Sequence, residues 1–198
     1  MTFRRTDLDR LAAIMTEAAE TQIMPRFRSL GDGGIREKTG VLDLVTDADE
    51  KAEWQIRDAC AKAFPTARFI GEESVERDRS LLDGIGDAEL AIIVDPVDGT
   101  SNFAWGLPLF GVMASVIRKG VTVAGLIYDP VGRDWRKALK GEGACAENAS
   151  GRTHDLKVAK PAPVSEMTGL CSWYIMPEPL RSRTVANLSK TKASFSYR

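Results

Sequence analysis

The sequence predicts an α+β fold, and three observations carry that expectation. Two stretches with helical apolar spacing come first. A series of short apolar, β-branched runs punctuated by turn residues fills the middle. A further helical stretch follows a proline-bearing break. The first helix is expected over residues 7–24, where Leu8, Leu11, Ala12, Met15, Ala18, Ala19 and Ile23 recur at helical spacing and Pro25 closes the run. Residues 29–40, charged and rich in glycine, are expected as a loop. The short apolar run from Leu42 to Val45 leads into Thr46-Asp47-Ala48-Asp49, which has the form of a helix start, and the helix continues to about Phe64. Ala52, Ile56, Ala59, Cys60 and Ala63 share one face of it, and Pro65 ends it.

A brief strand over Arg68–Gly71 delivers Glu72 and Glu73, and residues 74–87 are expected as a solvated connection. Further strands are expected over Glu89–Asp95, Phe110–Ile117 and Val121–Tyr128. The last two form a hairpin turned by Lys119-Gly120. Residues 134–139 and 143–147 continue the β-rich part. Pro161 and Pro163 mark a boundary, so residues 1–160 are expected as one lobe and 161–198 as the start of a second. That second part holds a strand over Gly169–Trp173 and a helix over Pro179–Leu188.

Composition excludes several classes. The chain has 198 residues and is 43% hydrophobic, enough to bury a core without disulfide staples. Lys+Arg is 27 and Asp+Glu is 28, so no bulk positive charge drives nucleic-acid binding. Cys60, Cys145 and Cys171 are widely spaced with no Cys-x-x-Cys, which argues against a zinc cluster and for a reducing cytoplasm. The single histidine, His154, excludes two-His zinc motifs and sits in a polar stretch expected at the surface. The N-terminal residues lack the apolar core of a secretion signal, and no apolar run reaches the ~18 residues of a membrane span.

Residues 92–102 concentrate the chemistry: Ile-Ile-Val-Asp-Pro-Val-Asp-Gly-Thr-Ser-Asn. The residue before a proline is held extended, so Asp95 keeps the strand direction. Pro96 cannot donate to a ladder, and the strand is expected to stop there. Val97 then leaves its carbonyl available, and Asp98-Gly99 turns the chain. Two carboxylates about 4 Å apart repel by about 4 kcal/mol at an effective dielectric near 20, which favours a bound cation, a raised pKa or a wet site. An all-oxygen donor set suits Mg²⁺, which retains waters and takes substrate phosphate. The turn at Gly99-Thr100-Ser101-Asn102 offers backbone N–H groups to a phosphate. Taken alone, Asp-Pro-x-Asp-Gly is also a sequence of good turn residues.

Three segments together resemble the inositol monophosphatase family of Mg²⁺-dependent, Li⁺-sensitive phosphatases. They are Asp43-Leu44-Val45-Thr46-Asp47-Ala48-Asp49, Gly71-Glu72-Glu73-Ser74 and Asp95-Pro96-Val97-Asp98-Gly99-Thr100-Ser101-Asn102-Phe103. The resemblance implies a layered α/β/α/β sandwich and hydrolysis of a small phosphorylated metabolite, an inositol phosphate or a similar ester. It implies Glu72 and Asp95 as shared metal ligands, the Val97 carbonyl as a further ligand, and Asp98 on a second metal, with two or three Mg²⁺ ions in all. Thr100, with Glu72 and Asp49, is implied to orient the attacking water, and Gly99, Thr100 and Ser101 to hold phosphate. Lys38 falls where the family has a lysine near the metals. Homodimers without nucleic-acid or membrane partners are the implied assembly. Each residue also has a plainer role: Thr46 and Asp49 fit a capping box, Glu73 a surface acid, Trp105 a core residue, and Asp129, before Pro130, a turn residue.

The sequence departs from the family in two respects. The family's later Trp-Asp-x-x-(Ala/Pro)-Gly motif is not found: Trp173 is followed by Tyr174. The Gly-Ser-Ala segment that contacts substrate is also not found. The chain thus resembles the N-terminal three quarters of such an enzyme, as a truncated product, a cut fragment or a degenerate copy. Its second metal site is expected to keep only Asp95 and Asp98, and its activity to be poor. Two rivals stand beside this. One is a haloacid-dehalogenase-like phosphatase, although its Asp-x-Asp spacing differs from the Asp-x-x-Asp here. The other is a non-catalytic protein that binds metal or a phospho-ligand.

Overall fold

The computed structural model of the protein describes residues 2–31, 35–40, 43–173 and 176–195, with the side chains of residues 37–40 and 43 outside that description. Leu42 and the glycines of residues 32–34 lie outside the described residues. The chain divides into two compact units, Met1–Leu156 and Lys157–Arg198.

The first unit is built on a seven-stranded sheet in the order β3-β4-β5-β6-β7-β8-β9. Its strands are β3 (Arg68–Gly71), β4 (Ala91–Asp98), β5 (Gly111–Arg118), β6 (Val121–Asp129), β7 (Asp134–Leu139), β8 (Gly143–Glu147) and β9 (Thr153–Leu156). Only β3 and β4 run parallel, and the rest is an antiparallel meander. A meander needs only tight turns. The β5–β6 turn is the Lys119-Gly120 pair expected from sequence, with φ of 48° and 74°. A ribbon of β1 (Ile35–Gly40) and β2 (Asp43–Thr46) lies apart from the sheet. Residues 35–40 are therefore strand, not loop: antiparallel pairing with β2 satisfies backbone groups that charge alone says nothing about.

Helices α1 (Arg5–Ala18) and α2 (Asp47–Ala63) pack on each other and on one face of the sheet. Leu8, Leu11 and Met15 of α1 and Ile56 of α2 are fully buried. Alternate strand residues meet them: Ile92 and Val94 on β4, Val112 and Val116 on β5, Leu126 on β6. Burying each such side chain stabilises the fold by about 1.5–3 kcal/mol before entropy is counted. The expected first helix is α-helical only to Ala18. It widens into a π turn over Ala19–Ile23 and tightens to 3₁₀ over Met24–Arg26, where Pro25 removes a helix donor. On the opposite sheet face Ile93, Met113, Ser115, Gly125 and Ile127 line an apolar depression of about 470 Å³ that ends at Asp95.

In the second unit β10 (Thr168–Leu170) pairs in parallel with β11 (Ala193–Phe195), with α5 (Leu180–Leu188) between them in sequence. This strand–helix–strand order is the usual route to a parallel pair. Cys60 is buried, Cys145 and Cys171 are partly so, and all three are free thiols. No helix among the described residues is long and apolar enough to cross a membrane.

Candidate active site

The site is assembled at one end of β3 and β4 from three chain segments. The first is the start of α2. Thr46 is extended (φ −121°, ψ 164°) and caps the helix, while the Asp49 carboxylate accepts from the Thr46 N–H at 2.9 Å and from its hydroxyl at 2.5 Å. The expected capping box is present, and it leaves the other Asp49 oxygen free to accept the Thr100 hydroxyl at 3.1 Å. Asp49 is thus both cap and site residue. It is fully buried, and burial pushes its carboxyl up to about 6 despite the hydrogen bonds from Thr46 and Thr100.

The second segment is the end of β3. Glu72 and Glu73 open a short helix, α3 (Glu72–Arg77), where sequence suggested only a connection after the strand. Glu73 was expected at the surface and is buried, 4% exposed. Its N–H donates to the Glu53 carboxylate at 2.8 Å, which draws this turn inward. Arg77 pairs with Glu50, and Arg36 bridges Asp47 at 3.2 Å and Glu50 at 2.5 Å, so exposed ion pairs tie β1, α2 and α3 together around the site.

The third segment is the end of β4. The strand does not stop at Asp95 but continues through Pro96 to Asp98. Opposite it, Asp95 pairs with Met113 and Asp98 with Gly111, so β4 carries one residue more than β5 across that interval. This is a β-bulge at a residue without an N–H to offer the ladder. The bulge also resolves a geometric problem. Carboxylates three residues apart on a regular strand face opposite ways, and one extra residue lets both act on the same region. Gly99 (φ 90°) then turns the chain into α4 (Thr100–Ala104). A Cβ at Gly99 would lie 2.8 Å from the Leu109 carbonyl oxygen, so both conformation and space demand glycine. Phe103 of α4 packs edge-on against Phe110 and tilted against Phe27, with ring centroids 5.0–5.6 Å apart, and anchors the helix.

These segments converge electrostatically. Burial first, then the charge of Glu72 and a hydrogen bond with its carboxyl, then the charges of Asp98 and Asp49, push Asp95 up to about 8. Asp98 is raised by burial and by Glu72. The Thr100 hydroxyl lies 2.9 Å from the Val97 carbonyl oxygen and 3.1 Å from Asp49. Seven predicted site residues therefore sit in one neighbourhood: Asp49, Glu72, Asp95, Val97, Asp98, Gly99 and Thr100. Ser101 is on the first turn of α4. Lys38 belongs to β1, and its side chain lies outside the described residues. Trp105, expected in the core, is 43% exposed just beyond α4. Asp129 is the expected turn residue, accepting the N–H groups of Val131 and Gly132 at 2.9 Å each. His154 is exposed on β9.

The donor chemistry suits a hard divalent cation. It is oxygen only, and Asp95 stands among negative charges that a cation would neutralise. Among the described residues no three His, Cys, Asp or Glu side chains are arranged as a ready cage. Mg²⁺ needs none, since it commonly takes one or two carboxylates and completes its shell with water and phosphate oxygens.

Residues 7–193 match the inositol monophosphatase family, and the chain belongs to it. An inositol-1-monophosphatase of Caulobacter vibrioides is 41% identical over 108 residues, which is 54% of this chain and 40% of that protein. The Nus factor SuhB of Pasteurella multocida is 38% identical over 102 residues, 52% of this chain and 36% of that protein. The matched stretch thus spans less than half the length of these curated relatives. Among solved structures, the extragenic suppressor protein suhB of Bartonella henselae superposes with a TM-score of 0.78 at 23% identity, covering 97% of this chain and 70% of that one. A Thermotoga maritima IMPase gives 0.75 at 24%, covering 95% and 68%. At these identities the likeness is one of fold.

One buried acid escaped the sequence reading. Glu53 is fully buried, four residues after Asp49 and on the stripe that carries Ala52, Ile56 and Cys60. The available signal was a carboxylate on the core-facing side of an amphipathic helix.

Proposed function

We propose that this protein hydrolyses a phosphate monoester of a small polyol or related metabolite, with Mg²⁺ as cofactor and water as nucleophile. The observation that carries this is the meeting of two arrangements at one strand end: the Glu72–Asp95 pair beside Asp98, and the Thr100 hydroxyl held between Asp49 and the Val97 carbonyl. Glu72 and Asp95 would hold a divalent ion together with the Val97 carbonyl, and Asp98 would serve a second. Bound there, the ion supplies neutralisation of phosphate charge and acidification of water.

The chain's own residues do the rest. The Thr100 hydroxyl has one proton and two neighbouring acceptors, so it donates to one at a time and keeps lone pairs to receive a water O–H. Asp49, raised to about 6, can take up a proton near neutral pH and stands one hydrogen bond behind Thr100. The first-turn N–H groups at Gly99-Thr100-Ser101 orient phosphoryl oxygens, and the fixed loop prepays their alignment. Pro96 fixes φ at the bulge, and Gly99 makes the turn that no larger residue has room for.

The 41% identity to an inositol-1-monophosphatase supports an inositol phosphate as the first substrate to try. Two or three Mg²⁺ ions, inhibition by Li⁺, a homodimer and a cytoplasmic setting complete the proposal. The test is phosphate release from a panel of inositol phosphates, sugar phosphates and nucleotide monophosphates, with and without Mg²⁺ and Li⁺. Mg²⁺-dependent release blocked by Li⁺ is expected. Binding of these esters with no release over the whole panel would favour a non-catalytic role, and relatives named as Nus factors make that comparison worthwhile.

A further inference from the structure

Glu53 lies one helical turn beyond Asp49, so both carboxylates leave the same face of α2. Asp49 reaches the α4 loop through Thr100. Glu53 reaches the other acidic loop. One of its oxygens accepts the Glu73 N–H at 2.8 Å, and the other accepts the Ser74 N–H at 3.0 Å and the Ser74 hydroxyl. A fully buried carboxylate is costly unless donors surround it, and here three do.

Gly71 completes the lock. Its φ of −103° suits any residue, so conformation does not explain the glycine. Space does: a Cβ there would lie 2.1 Å from the Glu53 carboxyl carbon. Gly71 is small because the Glu53 carboxylate lies against it. The residue between Gly71 and Glu73 is Glu72, which is thus flanked on both sides by contacts with Glu53.

Resting on the hydrolase reading above, we propose that Glu53 is a positioning residue that sets the Glu72 carboxylate against Asp95 for cation binding, acting through the α3 backbone. Only a carboxylate accepts at both oxygens without offering a donor. Glutamine would turn an N–H₂ toward an N–H on one side, and the α3 turn would shift.

The test compares wild type with Glu53→Gln, Ser74→Ala and Ile56→Val. The first two disturb the cradle, and the third only thins the core beneath the same helix. Mg²⁺ affinity is read by titration calorimetry, and the Mg²⁺ dependence of phosphate release is followed alongside. For Glu53→Gln, Mg²⁺ affinity should fall by about 10–100-fold, the usual loss when a group orienting a metal ligand is removed. Raising Mg²⁺ should then recover much of the turnover, with KM for the ester near wild type. Ser74→Ala should weaken Mg²⁺ in the same direction by a smaller factor. Ile56→Val should lower the melting temperature and leave Mg²⁺ affinity unchanged. A folded Glu53→Gln with wild-type Mg²⁺ affinity and only a lower melting temperature would overturn the inference. If Glu53→Gln does not fold, unchanged Mg²⁺ affinity in Ser74→Ala overturns it instead. If the wild-type protein itself binds no Mg²⁺, the hydrolase reading fails first and takes this inference with it.

Discussion

Asp49 and Asp95 are carboxylates in the same corner of the molecule, and their surroundings treat them in opposite ways. Asp49 is the more deeply buried, yet Thr46 and Thr100 surround it with donors, and its carboxyl rises only to about 6. Asp95 is less buried, but to the push of burial are added the neighbouring carboxyls of Glu72, Asp98 and Asp49, and it rises to about 8. Hydrogen bonds stabilise a charge where it is, whereas like charges ask for a counterion from outside. Under the proposed function, the difference separates a fixed bracket for water from a seat for a cation.

The sharpest way to break this contrast is Asp95→Asn. Turnover should fall roughly 10³-fold, because several kcal/mol of charge stabilisation are lost with the ligand. Above about pH 8, where Asp95 is ionised, the metal-free protein should meanwhile melt at the same or a higher temperature, since a repelling charge is gone. Reduced stability without magnesium would contradict the account. Asp49→Asn should cost about 10²-fold in kcat, as expected for a lost proton acceptor, with Mg²⁺ affinity nearly unchanged. A large loss of Mg²⁺ affinity there would erase the distinction between the two acids.

Acidity gives a milder probe. Both carboxyls hold protons in the folded state at pH values where the unfolded chain has released them. Their contribution to stability is therefore complete below about pH 4 and is lost as the pH rises through about 6 for Asp49 and about 8 for Asp95. The melting temperature of the metal-free protein should fall by roughly 10 °C between pH 5 and 8 because of these groups. Saturating Mg²⁺ should flatten that slope, which differential scanning calorimetry across the range would reveal. The smallest effect belongs to Thr46→Ala, which removes the cap hydroxyl. A loss of about 1 kcal/mol in urea unfolding is expected, with turnover reduced only as far as Asp49 is set loose.

Much of this was legible in the chain. Helix α2, the strand leading into Asp95 and the Lys119-Gly120 hairpin are local features, written in apolar period and turn chemistry. The clustering of Asp95 and Asp98 was legible too, because the two acids lie within four residues. What stayed hidden depends on partners distant in sequence. The strand over residues 35–40 forms only because β2 pairs with it. Glu73 looks like any exposed acid until Glu53, twenty residues earlier, accepts its N–H. The bulge that aligns Asp98 with Asp95 is defined by the register of β5, which no window around Pro96 contains. Trp105 went the other way, since an indole suggests a core that the short α4 does not extend to cover.

The central claim is that Glu72 and Asp95 share a divalent ion. Crystals soaked in Mn²⁺, a Mg²⁺ mimic with a usable anomalous signal, test it most directly. The account predicts an anomalous peak within about 2.5 Å of oxygens from both side chains, with their mutual hydrogen bond gone. A map with no peak there, and with the two carboxyls still within hydrogen-bond distance of each other, would contradict it.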